Sequence, residues 1–179
     1  MKSALLIIDV QQALCSGEWG AFDIDRVVDR INELAAKARS VGAPVFFIQH
    51  EEDQGPLQFG SKGWQLYERL AAKPDDIRIR KRASDSFHET ELHALLQARG
   101  VVELVVCGLQ SEFCVDSTVR RALSLGFPVV LVSNAHSTMD NGVLSAAQIS
   151  AHHNATLANI GGYENAVKAT TATEVHFGA

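Results

Sequence analysis

The chain alternates short apolar runs rich in β-branched residues with segments in which apolar residues recur every three or four positions. Runs that are apolar throughout predict strands of a parallel sheet, because helices cover both faces of such a sheet. Strands are predicted at residues 4–9, 44–49, 77–80, 101–107, 128–132 and about 172–175, and helices at about 24–38, 64–72, 90–100, 114–125 and 143–158. The pattern indicates an α/β fold with three αβα layers: a doubly wound, mainly parallel, Rossmann-like sheet of about six strands.

Length and charge narrow the class of protein. The 179 residues suffice for a single domain over residues 1–179 with a full hydrophobic core. A net charge of −5 with scattered basic residues disfavours a nucleic-acid partner. No apolar run approaches the roughly 20 residues that cross a bilayer, so no membrane association is expected. The apolar run at 4–8 is too short for a signal peptide, and three cysteines without paired spacing fit a reducing compartment. We therefore expect a cytoplasmic location.

Three chemically reactive side chains follow predicted strands. Asp9 ends the first strand, Lys81 follows the third, and Cys114 follows the fourth after a short turn. Ligands of such sheets bind beyond the carboxyl ends of the strands, so these side chains are expected at one edge. A thiolate is a nucleophile, a carboxylate can move its proton, and a nearby lysine or helix N-terminus raises the thiolate fraction. The three residues are therefore candidate catalytic groups.

Each of these residues also has a plainer interpretation. Cys114 is alternatively an inert buried thiol, as Cys107 in the fourth strand is expected to be. Asp9 is alternatively a turn residue satisfied by backbone N–H groups, and Lys81 a solvated side chain. Against this, an unpaired buried carboxylate is costly, and alternation with Ile79 places Lys81 on the inward face of its strand.

The chain resembles the isochorismatase-like cysteine hydrolases along nearly its whole length. Residues 108–122 (GLQSEFCVDSTVRRA) are similar to the nucleophile motif of that family, and residues 6–11 (LIIDVQ) to its first-strand motif. Lys81 and the residues after it match the lysine block, and residues 135–138 (AHST) fit the stretch after the fifth strand. The motifs occur in the family's order.

The resemblance implies an Asp–Lys–Cys triad formed by Asp9, Lys81 and Cys114. The cysteine attacks a carbonyl to form a thioester, the aspartate transfers the proton, and the lysine stabilises both. It implies an oxyanion hole from the backbone N–H groups of Gln110 and Cys114, and a cis peptide between Leu109 and Gln110. It further implies a homo-oligomer, with subunit contacts completing the pocket, and no obligatory cofactor.

The sequence departs from two branches of the family. Nicotinamidases bind a divalent metal through an Asp-x-His pair and a second histidine, whereas here the loop after the second strand holds His50 with Glu52 and Asp53 and no second histidine. We therefore predict a solvated acidic loop, with a metal bound by His50 and Glu52 or Asp53 as the alternative, and the nicotinamidase assignment is weakened. Isochorismatase itself cleaves a vinyl ether without a cysteine at this position, so Cys114 disfavours that reaction.

Four residues are candidates for the substrate pocket: Gln11, Trp64, Phe87 and Phe113. The aromatic members would form an apolar slot for a small planar molecule, with Trp64 and Phe87 as core residues in the alternative interpretation. Three histidines that could suggest a metal cluster are instead expected to be structural or interfacial: His136, His152 and His153.

The sequence thus predicts an amidohydrolase, a cysteine enzyme acting on carbon–nitrogen bonds of a small amide-like substrate. One alternative is a non-catalytic binding or scaffold protein of the same fold. Another is a redox sensor that pairs Cys114 with Cys107, and a third, among enzymes, is a nicotinamidase.

Overall fold

A computed structural model describes residues 2–178 and shows a six-stranded sheet in the order β3-β2-β1-β4-β5-β6. Every neighbouring pair of strands is parallel, as predicted from the apolar runs. The strands are β1 (Ser3–Ile8), β2 (Val45–His50), β3 (Ile77–Lys81), β4 (Glu103–Leu109), β5 (Val129–Ser137) and β6 (Val167–Thr170). Strand order therefore reverses direction between β1 and β4, which places a crevice between their carboxyl ends.

Helices cover both faces of the sheet and confirm the three-layer α/β class. They are α1 (Gln12–Cys15), α2 (Ile24–Ser40), α3 (Leu92–Ala98), α4 (Asp116–Ser124) and α5 (Ala146–Ala158). Alternate β1 residues enter different cores: Leu5 and Ile7 pack with α2, whereas Leu6 and Ile8 pack with α3, α4 and α5. None of the helices formed by residues 2–178 is long and apolar enough to cross a membrane.

Two predicted elements are wrong. Residues 64–72 form no helix, because their backbone pairs with the segment after β1: Tyr67 donates to Val10, and Gln12 donates to Gln65. Residues 172–175 form no strand, since the last strand lies earlier, at β6. Ala172 and Val175 are apolar because they pack into the core on the α2 face. The fifth strand is longer than predicted and includes His136.

Gly108 permits the close contact between β4 and β1. It has a φ of +115°, and a Cβ at this position would lie 2.1 Å from the carbonyl oxygen of Ile8. No side chain fits there without separating the two central strands, because the obstruction is backbone. The same two strands carry Asp9 and the turn that holds Cys114, so this contact fixes the distance between the two residues.

We expect Gly108→Ala to lower the free energy of unfolding by more than about 3 kcal/mol, since it combines a backbone clash with an unfavourable φ. Gly100→Ala is the matched control, because Gly100 also has positive φ (+64°) but nothing within 4 Å of the added Cβ. That control should cost only about 1–2 kcal/mol. Denaturant unfolding of both variants measures the difference, and equal losses would contradict the close-contact argument.

Candidate active site

Asp9, Lys81 and Cys114 converge at the carboxyl edge of the sheet. The Nζ of Lys81 lies 2.7 Å from Oδ2 of Asp9 and 3.2 Å from Sγ of Cys114. The Asp9 and Lys81 side chains are 1% and 0% exposed, and Cys114 is half-buried. Lys81 is therefore not a solvated side chain, and the thiol of Cys114 lies beside a buried ion pair.

Strand ends position the two charged members. Asp9 follows β1 directly with a left-handed backbone (φ 51°), a conformation that aspartate tolerates better than most residues. Lys81 is the last residue of β3, which is two strands away from β1. Its long side chain spans the end of β2, where His50 is its register partner.

The turn that carries Cys114 differs from the predicted helix start. Residues Ser111–Val115 form a π-helical turn, and α4 begins only at Asp116. Cys114 therefore lies inside a turn and not at the N-terminus of an α-helix. The peptide bond between Leu109 and Gln110 is cis, in agreement with the resemblance.

Buried polar side chains anchor this turn to the neighbouring elements. Ser111 Oγ lies 2.8 Å from Nδ1 of His136 and 3.0 Å from Oγ of Ser150, and Nε2 of His136 lies 2.9 Å from Oδ1 of Asn154. Thr138 donates to Glu112 at 2.9 Å. Burial lowers the pKa of His136, which favours its neutral form. His136 is thus structural, as predicted, and it ties the nucleophile turn to β5 and α5.

The three N–H groups of Lys81 have three well-aligned acceptors. These are Sγ of Cys114, the carbonyl oxygen of Ala83 at 3.0 Å and Nδ1 of His50 at 3.3 Å. Asp9 forms a further contact with the ammonium, a buried ion pair at 2.7 Å. The sequence analysis considered His50 as part of an acidic loop or as a metal ligand, and did not place it beside Lys81.

The electrostatics at Cys114 differ from the sequence expectation. Burial and the negative charge of Asp9 raise the pKa of the Cys114 thiol to about 12, while Lys81 acts in the opposite direction. Asp9 and Cys114 in turn raise the pKa of Lys81 despite its burial. The expected activation by lysine is therefore offset, since Asp9 neutralises the ammonium charge, and burial favours the protonated thiol.

Two cavities open beside the cluster. A cavity of about 620 Å³ lies against the turn that precedes Cys114, and its wall includes Leu14, Trp19, Leu57, Gln110, Glu112 and Phe113 but none of the three cluster residues. We call it the turn cavity. A second cavity of about 760 Å³ is lined by Lys81, Trp64 and a row of arginines on and after β3.

The candidate pocket residues separate into two groups. Phe113 lines the turn cavity and is 54% exposed, and Trp64 lines the second cavity. Phe87 lies in the core, stacked on Phe127, and lines neither cavity. Gln11 is fully buried, and its amide bridges the backbone of His50 and Trp64. Phe87 and Gln11 therefore line neither of the two cavities.

Asp9, His50 and Cys114 lie close enough together to bind a metal ion, but the ammonium of Lys81 occupies the space between them. One ligand atom of each lies within 4.8 Å of the others. The ammonium of Lys81 lies among these atoms, in contact with all three, and supplies the positive charge that an ion would bring. Glu52 and Asp53 have side chains that are 48% and 82% exposed, and Asp53 pairs with Arg82. These exposures agree with an acidic, solvated loop.

The chain is similar to known proteins over most of its length. The sequence profile described as the Isochorismatase domain matches residues 3–170. A streptothricin hydrolase of Streptomyces noursei is 44% identical over 138 residues, covering 76% of this chain and 50% of that protein. The ureidoacrylate amidohydrolase RutB of Stutzerimonas stutzeri (strain A1501) is 27% identical over 173 residues, covering 75% of this chain and 70% of that protein. The chain spans about half the length of the streptothricin hydrolases that it matches.

A solved structure has the same fold over almost the full chain. The crystal structure of an isochorismatase from Pseudomonas putida KT2440 superposes with a TM-score of 0.88 at 31% sequence identity. The match covers 97% of this chain and 90% of that one.

We expect Asp9→Asn to lower the pKa of the Cys114 thiol, because it removes the negative charge that opposes the thiolate and leaves Lys81 as its neighbour. The pH dependence of Cys114 alkylation by iodoacetamide, followed by peptide mass spectrometry, measures the shift. Asp53→Asn is the control, since its side chain is solvated and pairs with Arg82. A midpoint that stays unchanged or rises in Asp9→Asn would contradict the electrostatic assignment.

Proposed function

The chain belongs to the isochorismatase family, and from that premise we propose that it is a cysteine hydrolase cleaving a carbon–nitrogen bond of a small amide-type molecule. The observation that carries the proposal is the buried contact of Lys81 with both Asp9 and Cys114. Relatives named as a hydrolase of streptothricin and as an amidohydrolase support this class of reaction.

In the proposed reaction, Asp9 accepts the thiol proton as Cys114 Sγ attacks the substrate carbonyl carbon. Lys81 keeps its proton and stabilises the sulfur through the contact at 3.2 Å. The carbon–nitrogen bond then breaks, Asp9 returns the proton to the leaving nitrogen, and a thioester remains on Cys114. Water attacks the thioester, passes a proton to the sulfur through Asp9 and releases the carboxylic acid.

A raised thiol pKa is compatible with this sequence of steps. Because the resting pair is neutral thiol and carboxylate, proton transfer to Asp9 is coupled to attack and does not have to precede it. General acid–base assistance of this kind typically contributes about 10²–10⁴-fold in rate. The low-pKa cysteine expected from the sequence is therefore not required for the proposed function.

The developing oxyanion is proposed to bind the backbone N–H groups of Gln110 and Cys114. Gln110 lines the turn cavity directly after β4, next to the π-helical turn. One such donor typically contributes about 3–4 kcal/mol in acyl transfer. The turn cavity is accordingly the proposed substrate pocket, with Trp19 and Phe113 as aromatic wall residues.

The charges around the turn cavity restrict its substrates. Three carboxylates line it, those of Glu52, Glu112 and Asp140, and within residues 2–178 its wall includes no lysine, arginine or histidine. One oxygen of Glu112 is buried without a hydrogen-bond partner. A substrate with a negative charge close to the scissile amide would meet electrostatic repulsion there. We therefore propose neutral or cationic amides as the substrate class.

The redox-sensor alternative has little structural support. Cys107 is fully buried on the α2 face of the sheet, whereas Cys114 packs against the core on the opposite face. Burial also raises the pKa of the Cys107 thiol beyond any physiological range. Bond formation between these two residues would require β4 to leave the sheet.

Self-association remains part of the proposal. Large apolar side chains stand exposed around the turn cavity, including Trp19, Phe22 and Phe113. An exposed aromatic rim beside a catalytic cleft is the kind of surface that a second subunit covers. We propose that a homo-oligomer completes the pocket wall.

We expect Cys114→Ala to abolish hydrolysis, because no other group in the cluster can form the thioester. An ammonia-release screen over small amides, ureido compounds and lactams measures turnover of the wild type and the variant. Cys15→Ala is the control, since Cys15 is a buried cysteine that lines neither cavity. Retained turnover in Cys114→Ala would reject Cys114 as the nucleophile.

We expect the wild type to hydrolyse cationic amides with a higher kcat/KM than their carboxylate-bearing analogues. Glu112→Gln should reduce this preference by about tenfold, since it removes one charge from the cavity wall. Lys168→Gln on β6, away from the cavity, is the control for a general change in net charge. Equal kcat/KM values for both charge types in the wild type would contradict the proposed substrate class.

A further inference from the structure

We propose that His50 is a positioning residue that aims the ammonium of Lys81 at the sulfur of Cys114. The proposal rests on the cysteine-hydrolase function given above and adds a fourth side chain to its machinery. His50 contacts the ammonium of Lys81, and in the proposed reaction it exchanges no proton and forms no bond with the substrate. It therefore acts through Lys81.

The number of N–H donors on Lys81 limits how many neighbours it can bind. A lysine ammonium has three N–H donors and no acceptor. Its three aligned acceptors are Sγ of Cys114 at 3.2 Å, the Ala83 carbonyl oxygen at 3.0 Å and Nδ1 of His50 at 3.3 Å. Two of the three bonds therefore serve only to orient the group, and His50 supplies one of them.

Asp9 competes with Cys114 for the N–H groups of the Lys81 ammonium. Its Oδ2 lies 2.7 Å from Nζ, closer than the three other groups around the ammonium. A charge-assisted hydrogen bond to a carboxylate is stronger than one to a neutral group. The contacts with His50 and Ala83 therefore compete with Asp9 for the N–H groups and help to keep one of them on the sulfur.

His50 is itself held firmly at the end of β2. The amide of the buried Gln11 side chain accepts from the backbone N–H of His50 at 2.8 Å and donates to its carbonyl oxygen at 2.9 Å. This contact accounts for the buried glutamine after β1, which lies too far inside to meet a substrate. Gln11 thus links the strand that carries Asp9 to the residue that orients Lys81.

The contact requires neutral His50 with its proton on Nε2, because Nδ1 must accept from Lys81. Burial and the positive charge of Lys81 lower the pKa of His50, which supports this protonation state. The charged groups that face the ring are Lys81 from β3, Asp9 after β1, Glu52 from the loop after β2 and the Cys114 thiol from the turn after β4. The carboxylate of Glu52 lies 3.9 Å from Nε2, on the proton-bearing side of the ring.

The test uses three substitutions that differ in where they place an acceptor. The oxygen of His50→Asn lies close to the position of Nδ1, that of His50→Gln close to Nε2, and His50→Leu has none. Two readouts apply to the full chain: the rate of Cys114 alkylation by iodoacetamide, which needs no substrate, and kcat and KM for an amide that the wild type hydrolyses. His152→Leu on the exposed side of α5 is the control.

We expect His50→Leu and His50→Gln to slow alkylation and lower kcat by about tenfold or more, the effect of losing one hydrogen bond at a charged group. KM should change less than about threefold, because His50 lines neither cavity. His50→Asn should retain alkylation and kcat within about threefold of the wild type. Equal losses in the Asn and Gln variants, or no loss in either, would overturn the proposal. Should His50→Leu fail to fold, the Asn and Gln pair decides alone.

Failure of the proposed function gives a different result. If the wild type hydrolyses no amide but alkylation follows the expected order of variants, the hydrolase assignment fails and the positioning role of His50 stands. If hydrolysis depends on Cys114 but the His50 variants match the wild type in both readouts, only the positioning role fails.

Discussion

The buried ion pair between Lys81 and Asp9 is the interaction on which the rest of the site depends. Removing either charge from water is costly, and the cost is recovered only because the two groups lie 2.7 Å apart in a low-dielectric crevice. The ends of β1 and β3 must therefore keep their relative positions, because a shift of either one would leave a buried charge without its partner. The thiol of Cys114 is added to a neutral pair, which explains why a neighbouring lysine does not by itself make the cysteine acidic.

The residues of the ion pair follow β1 and end β3, two strands that are not adjacent in the sheet. Since β2 lies between β1 and β3, Lys81 must extend across the end of β2 to meet Asp9. His50 occupies that strand end and is contacted on one side by Gln11 and on the other by Lys81. The glycine at 108 brings β4 against β1 at the same level. The sheet edge is thus a continuous set of contacts from β3 to β4, and the turn cavity lies against the turn that follows β4.

Much of this organisation could be predicted from the sequence, and the failures have physical reasons. The apolar runs predicted the first five strands correctly. Strands that are buried on both faces are apolar throughout, so they are easy to recognise in the sequence. The predicted helix at 64–72 failed because its backbone groups are taken by residues 10–12, a long-range pairing that local periodicity does not contain. Phe87 was a candidate pocket residue, yet it stacks on Phe127. The identity of an aromatic residue does not show whether it lines a pocket or packs in the core.

The sequence by itself determined the α/β class, the edge at which Asp9, Lys81 and Cys114 gather, and the type of reaction that such groups support. These follow from short-range patterns and from the rule that parallel strands end together. Only the tertiary structure decided the protonation state of the thiol, the orientation of the lysine and the place of His50. Each of these depends on distances of a few ångströms between residues far apart in the chain, and on how completely water is excluded around them.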